Sequence, residues 1–233
     1  MDYQAGLSFG LHPVDGQMFW MGGHSSSGGS VEWLRHLLGD KQLSYGQILE
    51  LSQQTDSSPG GILFYPYLSG GGLSLRNPRS KAAFVGLTGK HGKADMLKAV
   101  FEGSAYQMET IRRRAEQVSG QSLRQMTTVG GGVHNPCWLQ IKANVSGVEI
   151  QVPQLAEAAL FGAALTAGVG AGLYSSFAEA SSAVSKSMAA SYLPDTGYHG
   201  IYQRIYEQGF VKLQESLEFF RRVDIRRFAW RKK

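Results

Sequence analysis

The sequence predicts an α/β fold in a single domain. Three observations carry that prediction. Short apolar runs of strand character alternate with longer segments of helical periodicity. No linker rich in Pro, Gly or Ser divides the 233 residues, and no internal repeat recurs at a fixed period. With 42% hydrophobic residues, the chain is long enough to bury a full core.

The elements follow in order. Residues 17–21 (QMFWM) read as a strand, and residues 22–29 as a Gly/Ser loop. Residues 31–38 read as a helix, with Val31, Leu34, Leu37 and Leu38 on one face and Gly39 placed to stop it. Ser44 and Gln47 form a capping box for the helix that carries Ile48 and Leu51. Residues 61–67 (GILFYPY) and 82–87 (AAFVGL) are strand-like. Residues 93–118 form the longest helical segment, with Leu97, Val100, Phe101, Ser104, Met108, Ile111, Ala115 and Val118 at three- and four-residue spacing. Arg112, Arg113 and Arg114 fall in its last turns, where the helix dipole favours cations.

Residues 126–129 predict a short strand that leads into Gly130, Gly131 and Gly132. Asn135 is a favoured N-cap and Pro136 suits the first helical position, so a helix starts there and runs to about residue 145. Residues 148–152 (VEIQV) alternate as a strand does, and residues 155–169 read as a helix of small residues. Ser176 and Glu179 form a second capping box, opening a helix to about residue 188. Residues 198–223 predict a final amphipathic helix that runs into a basic tail.

The net charge of +5 belongs to that tail. Residues 221–233 hold seven basic groups against Asp224, which leaves the other 220 residues with sixteen basic and seventeen acidic groups. Phe219, Phe220, Phe228 and Trp230 interleave with the basic residues, a pattern that can suit nucleic acid or an anionic membrane. Terminal basic tails are more often solubilising, so neither partner is expected. A single cysteine, Cys137, excludes an intrachain disulfide framework and suits a reducing cytoplasm; it is expected to be buried and inert. The first residues lack the basic and apolar regions of a signal peptide. Residues 158–178 are the longest charge-free stretch and contain the GxxxG of Gly168 and Gly172, yet they are too poor in strong hydrophobes to predict a membrane span. The six histidines and one cysteine show no metal-ligand spacing.

Two places share a design of strand, glycine-rich turn and helix: residues 17–38, and residues 126–145. Glycine removes the Cβ that would hold a ligand away from the backbone, and the helix N-terminus offers free N–H groups and partial positive charge. Such a place suits a phosphate or the edge of a nucleotide, although each turn alone is equally a plain tight turn. Neither is a GxxxxGK[ST] or GxGxxG motif.

The second turn carries a resemblance. The run GGGVHNPCWLQIKANVSG (130–147), then VEIQVP and EAALFGAALTAG, resembles the signature of the FGGY carbohydrate kinases in their C-terminal domain. GGSVEWLRHLL (28–38), GILFYPYLSG (61–70), NPRSKAAFVGLT (77–88) and AVFEGSAYQM (99–108) agree in order and spacing, as does the tyrosine-spaced last helix (Tyr198, Tyr202, Tyr206). The resemblance covers residues 8–220, and PYLSG is closer to the xylulokinase-like branch than to glycerol kinases. It implies an actin-like, ribonuclease-H-like domain (residues 1–220, then the basic tail 221–233) with a mixed sheet flanked by helices, and ATP bound in the cleft beside a second domain.

By motif match, the nucleotide is expected at Gly28, Glu32, Gly130, Gly131, Gly132 and Asn135, with Gly131 and Asn135 nearest the adenosine. Asn135 is equally readable as an N-cap. Trp33 and Trp138 are expected in the core, His134 as an exposed loop residue, and Glu157 as a first-turn carboxylate. The resemblance places the catalytic Asp, the sugar pocket and the Mg²⁺ ligands in the family's N-terminal half or at its junction. No Asp of this chain lies in a catalytic motif, so no catalytic or metal-binding residue is expected here. ATP is the expected ligand, the sugar is expected to be reached through the other half, and self-association through the face left open is a further expectation. Two departures stand out: Gly70, Gly71 and Gly72 replace the family's charged Gly-Glu-Arg, and Asn144 replaces the Asp after Ala143.

Overall fold

The computed structural model describes residues 6–14, 16–24, 26–38, 43–71, 79–155, 157–184 and 187–217. Gly39, Gly72, Asn77, Phe219, Phe220 and the whole basic tail lie outside the described residues.

The element order is β1 (Ser8–Leu11), β2 (Met18–Met21), α1 (Ser27–Leu37), α2 (Tyr45–Gln53), β3 (Leu63–Tyr65), β4 (Ala83–Val85), α3 (Lys93–Ser119), β5 (Gln125–Thr127), a 3₁₀ turn (Gly131–His134), α4 (Pro136–Ser146), β6 (Glu149–Pro153), α5 (Ala158–Gly170), α6 (Phe177–Ser182), β7 (Met188–Tyr192), α7 (Thr196–Ile205), a π-helical turn (Tyr206–Phe210) and α8 (Val211–Ser216). Among the described residues, the strands form three sheets. β1 and β2 pair as an antiparallel hairpin, and β3 pairs with β4 antiparallel. β5, β6 and β7 form a mixed sheet, with β5 parallel and β7 antiparallel to β6.

The long helix α3 is the spine of the core. Its expected apolar stripe understates its burial. From Ala99 to Gln107 every residue is buried, because β3, α1, α2 and α4 pack around it. Phe64, Tyr65, Leu97, Phe101, Tyr106, Tyr202 and Phe210 are essentially inaccessible, and each such side chain contributes roughly 1.5–3 kcal/mol by leaving water. Three tyrosine hydroxyls find partners in this interior, while the buried Tyr106 hydroxyl has none among the described residues. Tyr65 Oη donates to the Phe210 carbonyl at 2.8 Å, and Tyr67 Oη donates to Gln107 Oε1 at 3.0 Å. Tyr202 Oη lies 3.0 Å from Glu102 Oε1 and from the Ser57 and Ser58 carbonyls, donating to one at a time.

Several elements differ from the sequence expectation. α1 begins at Ser27, so Gly28 and Gly29 belong to its first turn and not to the preceding loop. α3 runs to Ser119 and ends on Gly120 at φ +69°, so Arg112 and Arg113 stand inside the helix. They act through ion pairs there: Arg112 and Arg113 both bind the fully buried Glu109, at 2.7 and 2.6 Å. The helix opened by Ser176 ends at Ser182, and Met188 begins strand β7, which the small-residue composition of the segment concealed. Ser176 Oγ accepts from the Glu179 amide, but the Glu179 carboxylate binds Ser175 instead, so the box is incomplete. Glu157 is the exposed N-cap of α5, one residue outside its first turn. The capping box of Ser44 and Gln47 is present on both sides.

Candidate nucleotide site

The two glycine turns open on one cleft of about 940 Å³. One wall is the start of α1 (Ser27, Gly28, Gly29, Val31 and Glu32), continued by Tyr45, Gly46, Ile48 and Leu49 of α2. The other is Thr128, Val129, Gly131, Gly132 and His134, followed by Asn135, Trp138 and Lys142 along α4. Phe101 of α3 reaches the same space.

Five of the six residues expected at the nucleotide, Gly28, Glu32, Gly131, Gly132 and Asn135, therefore share one cavity. Gly130 does not line it. It lines an adjoining cavity of about 660 Å³, on the far side of the turn, with Val152, Pro153, Gln154 and Glu157. Its φ of +88° shows why glycine stands there: the chain enters the 3₁₀ turn through a left-handed residue that a side chain would strain. Gly132 has a packing reason, since a Cβ there would lie 3.3 Å from the Trp138 ring. Gly28 and Gly131 have neither reason. Both line the cleft, and a Cβ at either would meet nothing within 4 Å.

The helix ends differ. Asn135 caps α4: its Oδ1 accepts from the Trp138 amide at 3.0 Å. Its Nδ2 has no hydrogen bond among the described residues and remains a donor at the cleft. Ser26, at the N-cap of α1, makes no side-chain cap, and no acidic residue occupies the first turn. Among the described residues that end keeps its free N–H groups and positive dipole.

Glu32 is committed within α1. Its carboxylate receives Arg35 at 2.7 and 3.0 Å and the Tyr45 hydroxyl at 3.1 Å, and the Arg35 bond holds its pKa down to about 2. Trp138 is 5% exposed; it stacks on Phe101 with centroids 5.1 Å apart, and its Nε1 donates to Ser104 Oγ at 2.8 Å. It is thus both core and cleft wall. Trp33 packs beside Phe64 and Phe84, away from the cleft. His134 is exposed on the rim. The Cys137 thiol is partly buried, and burial pushes its pKa up, which keeps it protonated.

Sequence reasoning missed Lys142. It is the only charged residue of α4, one turn beyond Trp138, and its Nζ lies 4.4 Å from the centre of the Trp138 ring. The signal was a lone lysine on the face that carries Asn135 and Trp138. It also left Asn144 without a role. Asn144 is fully buried, away from the cleft. Its Nδ2 donates to the Ser57 carbonyl at 3.3 Å, while its Oδ1 accepts from the Asp195 amide and from Gln140 Nε2, both at 2.9 Å. An amide satisfies donor and acceptors together, where an ionised carboxylate would oppose the Ser57 oxygen.

Comparison with known proteins agrees with this architecture. The model of the FGGY family of carbohydrate kinases, C-terminal domain, matches residues 7–171. The chain belongs to the FGGY family of carbohydrate kinases. It is 30% identical over 201 residues to the L-xylulose/3-keto-L-gulonate kinase of Escherichia coli K12, covering 86% of this chain and 39% of that protein. It is 30% identical over 207 residues to a xylulose kinase of Staphylococcus epidermidis, covering 88% and 40%. The chain thus spans about two fifths of the length of these FGGY relatives. Among solved structures, a xyloylose kinase from Brucella ovis aligns with TM-score 0.81 at 24% identity, over 92% of this chain and 43% of that one. A Plasmodium falciparum glycerol kinase with ADP aligns with TM-score 0.72 at 19% identity, over 89% and 42%. The fold is therefore that of the FGGY C-terminal, actin-like domain. Among the described residues no helix is long and apolar enough to cross a membrane.

Proposed function

We propose that this FGGY domain forms the nucleotide side of an ATP-dependent sugar kinase, binding ATP in the cleft between α1 and the 130–132 turn. The observation that carries the reading is the convergence of the two glycine turns on one cavity, with Gly28 and Gly131 open to it for no reason of packing. Gly131 lets the base or ribose approach the backbone, and Asn135 Nδ2 supplies a donor at the same wall. The ADP in the aligned glycerol kinase supports a nucleotide as the ligand class.

Transfer of the γ-phosphoryl group to a carbohydrate hydroxyl needs a base at the acceptor and Mg²⁺ on the phosphates. Among the described residues no group of three or more His, Cys, Asp or Glu side chains is placed to hold a metal ion. The reading gives base, sugar pocket and metal ligands to a second half of the kinase.

The test is calorimetric titration of the chain with ATP. Weak binding is expected, abolished by Gly131→Val; binding untouched by that change would sink the assigned pocket. The chain alone should phosphorylate no sugar, and robust turnover would refute the division of labour.

A second reading makes the chain a non-catalytic nucleotide-binding or assembly module. The loss of the charged pair at Gly70–Gly72 favours it. The change at Asn144 does not, since that side chain holds the fold together far from the cleft. A sugar-binding half encoded upstream, in frame or as a separate chain, would favour the kinase.

A further inference from the structure

Lys142 brings a charge into the cleft that no carboxylate among the described residues answers. Its ammonium caps the Trp138 ring face at 4.4 Å. Among the described residues it has no carboxylate and no hydrogen-bond acceptor. A cation taken out of water needs a counter-charge, or it gives up its proton. Burial lowers Lys142 to about 8, so the ammonium persists at neutral pH in a partly dry wall.

The surrounding groups sharpen the imbalance. His24, just before α1, is held down to about 4, first by burial and then by the Lys142 charge. It is therefore neutral, and its Nδ1 is buried without a partner among the described residues. The anion of the cleft, Glu32, is already bound by Arg35 and Tyr45. The uncapped start of α1, with Gly28 and Gly29, lines the same space and adds partial positive charge. Among the described residues the cleft thus presents one full and one partial positive charge, and no free negative one.

We infer that Lys142 anchors a phosphate group of the bound nucleotide and gives the cleft its preference for nucleotides over nucleosides. This rests on the nucleotide reading above, but its own content is the anion. The anion completes the ion pair that the described residues leave open, and the Trp138 ring face holds the ammonium in place for it. No bond is made or broken in this step.

The test is titration of the full chain with ATP, adenosine and pyrophosphate, in wild type, Lys142→Met and Lys142→Arg, with a thermal melt of each variant. Methionine keeps the length of the side chain and its packing on Trp138 while removing the charge. Lys142→Met is expected to weaken ATP about tenfold to a hundredfold, the usual weight of a charged hydrogen bond, and to abolish pyrophosphate binding while leaving adenosine unchanged. Lys142→Arg should retain ATP within roughly threefold, since it keeps the charge. An unchanged ratio of ATP to adenosine affinity in Lys142→Met overturns the anchor, whether both affinities stay or both fall. The two readings separate cleanly. Pyrophosphate bound through Lys142 without any nucleoside or nucleotide binding keeps the anchor and removes the nucleotide. Adenosine bound with the ATP preference intact in Lys142→Met does the reverse. Binding of none of the three overturns both.

Discussion

Glycine does opposite work in the α3 core and in the cleft. In the core it is forced by contact. A Cβ on Gly103 would lie 2.2 Å from the Phe64 carbonyl oxygen, so β3 can approach α3 only over a glycine. On the cleft walls, a Cβ on Gly28, Gly29 or Gly131 would touch nothing. Packing explains the first kind and leaves the second unexplained, and a vacant wall of glycine is what an approaching ligand requires. The distinction comes from the surroundings of each residue, since the residue type is the same in both.

The largest effect should come from breaking the core side. Gly103→Ala must push β3 off α3, and neither backbone can yield easily. The expected loss is about 3 kcal/mol of stability or more, at the upper end of overpacking costs. Denaturant unfolding reads it, and a midpoint within error of wild type would show that the core is looser than its contacts.

The same core holds a titratable group. Glu102 is 1% exposed, accepts from the Gly60 amide at 2.8 Å and from Tyr202, and burial raises its pKa from 4.5 to about 7. A carboxyl raised on folding favours the folded state while it is protonated. Its stabilising contribution is full below the unfolded value of 4.5 and is lost as pH rises through about 7. The shift corresponds to roughly 3 kcal/mol between those limits. Glu102→Gln keeps both accepted bonds on Oε1 and should flatten the stability profile between pH 4.5 and 7, leaving the variant more stable than wild type above pH 7. A profile that keeps its slope would assign the pH dependence elsewhere. The cleft should show no matching effect from Glu32, whose carboxylate is ionised throughout that range.

On the cleft side, Gly131→Val should separate binding from folding. With open space around its Cβ, the substitution should change stability by less than about 1 kcal/mol, while ATP affinity falls at least about tenfold. Equal losses of stability and affinity would place Gly131 with the packing glycines and erase the contrast.

The sequence announced the contrast only in part. Strand–glycine–helix order located both turns, because loop composition and helix periodicity are local signals. Asn135 and Pro136 fixed the start of α4 to the residue. Two things were not legible. One was β7: its run of Met, Ala, Ala, Ser and Tyr has little strand propensity, and it is a strand because β6 offers it an edge to pair with. The other was the division among the three glycines of the second turn. Gly130 serves a positive φ, Gly132 the Trp138 ring and Gly131 the cleft, and only the surrounding chain distinguishes them. Lys142 escaped for a related reason. A lysine on a helix is ordinarily a solvated charge, and its burial depends on walls brought in from α1 and the 130–132 turn.

The smallest expected effect falls on a residue that belongs to both regions. Asn135 Oδ1 caps α4, while Nδ2 stands free at the cleft. Asn135→Ala removes both functions and should cost about 1 kcal/mol of stability, the usual weight of an N-cap, together with some nucleoside affinity. Asn135→Ser separates them. Serine caps about as well as asparagine but offers no amide donor. The serine variant should therefore melt with wild type and still bind adenosine severalfold more weakly than wild type. If it restores affinity along with stability, the side chain serves α4 alone, and the cleft is shaped by glycine and Lys142 without Asn135.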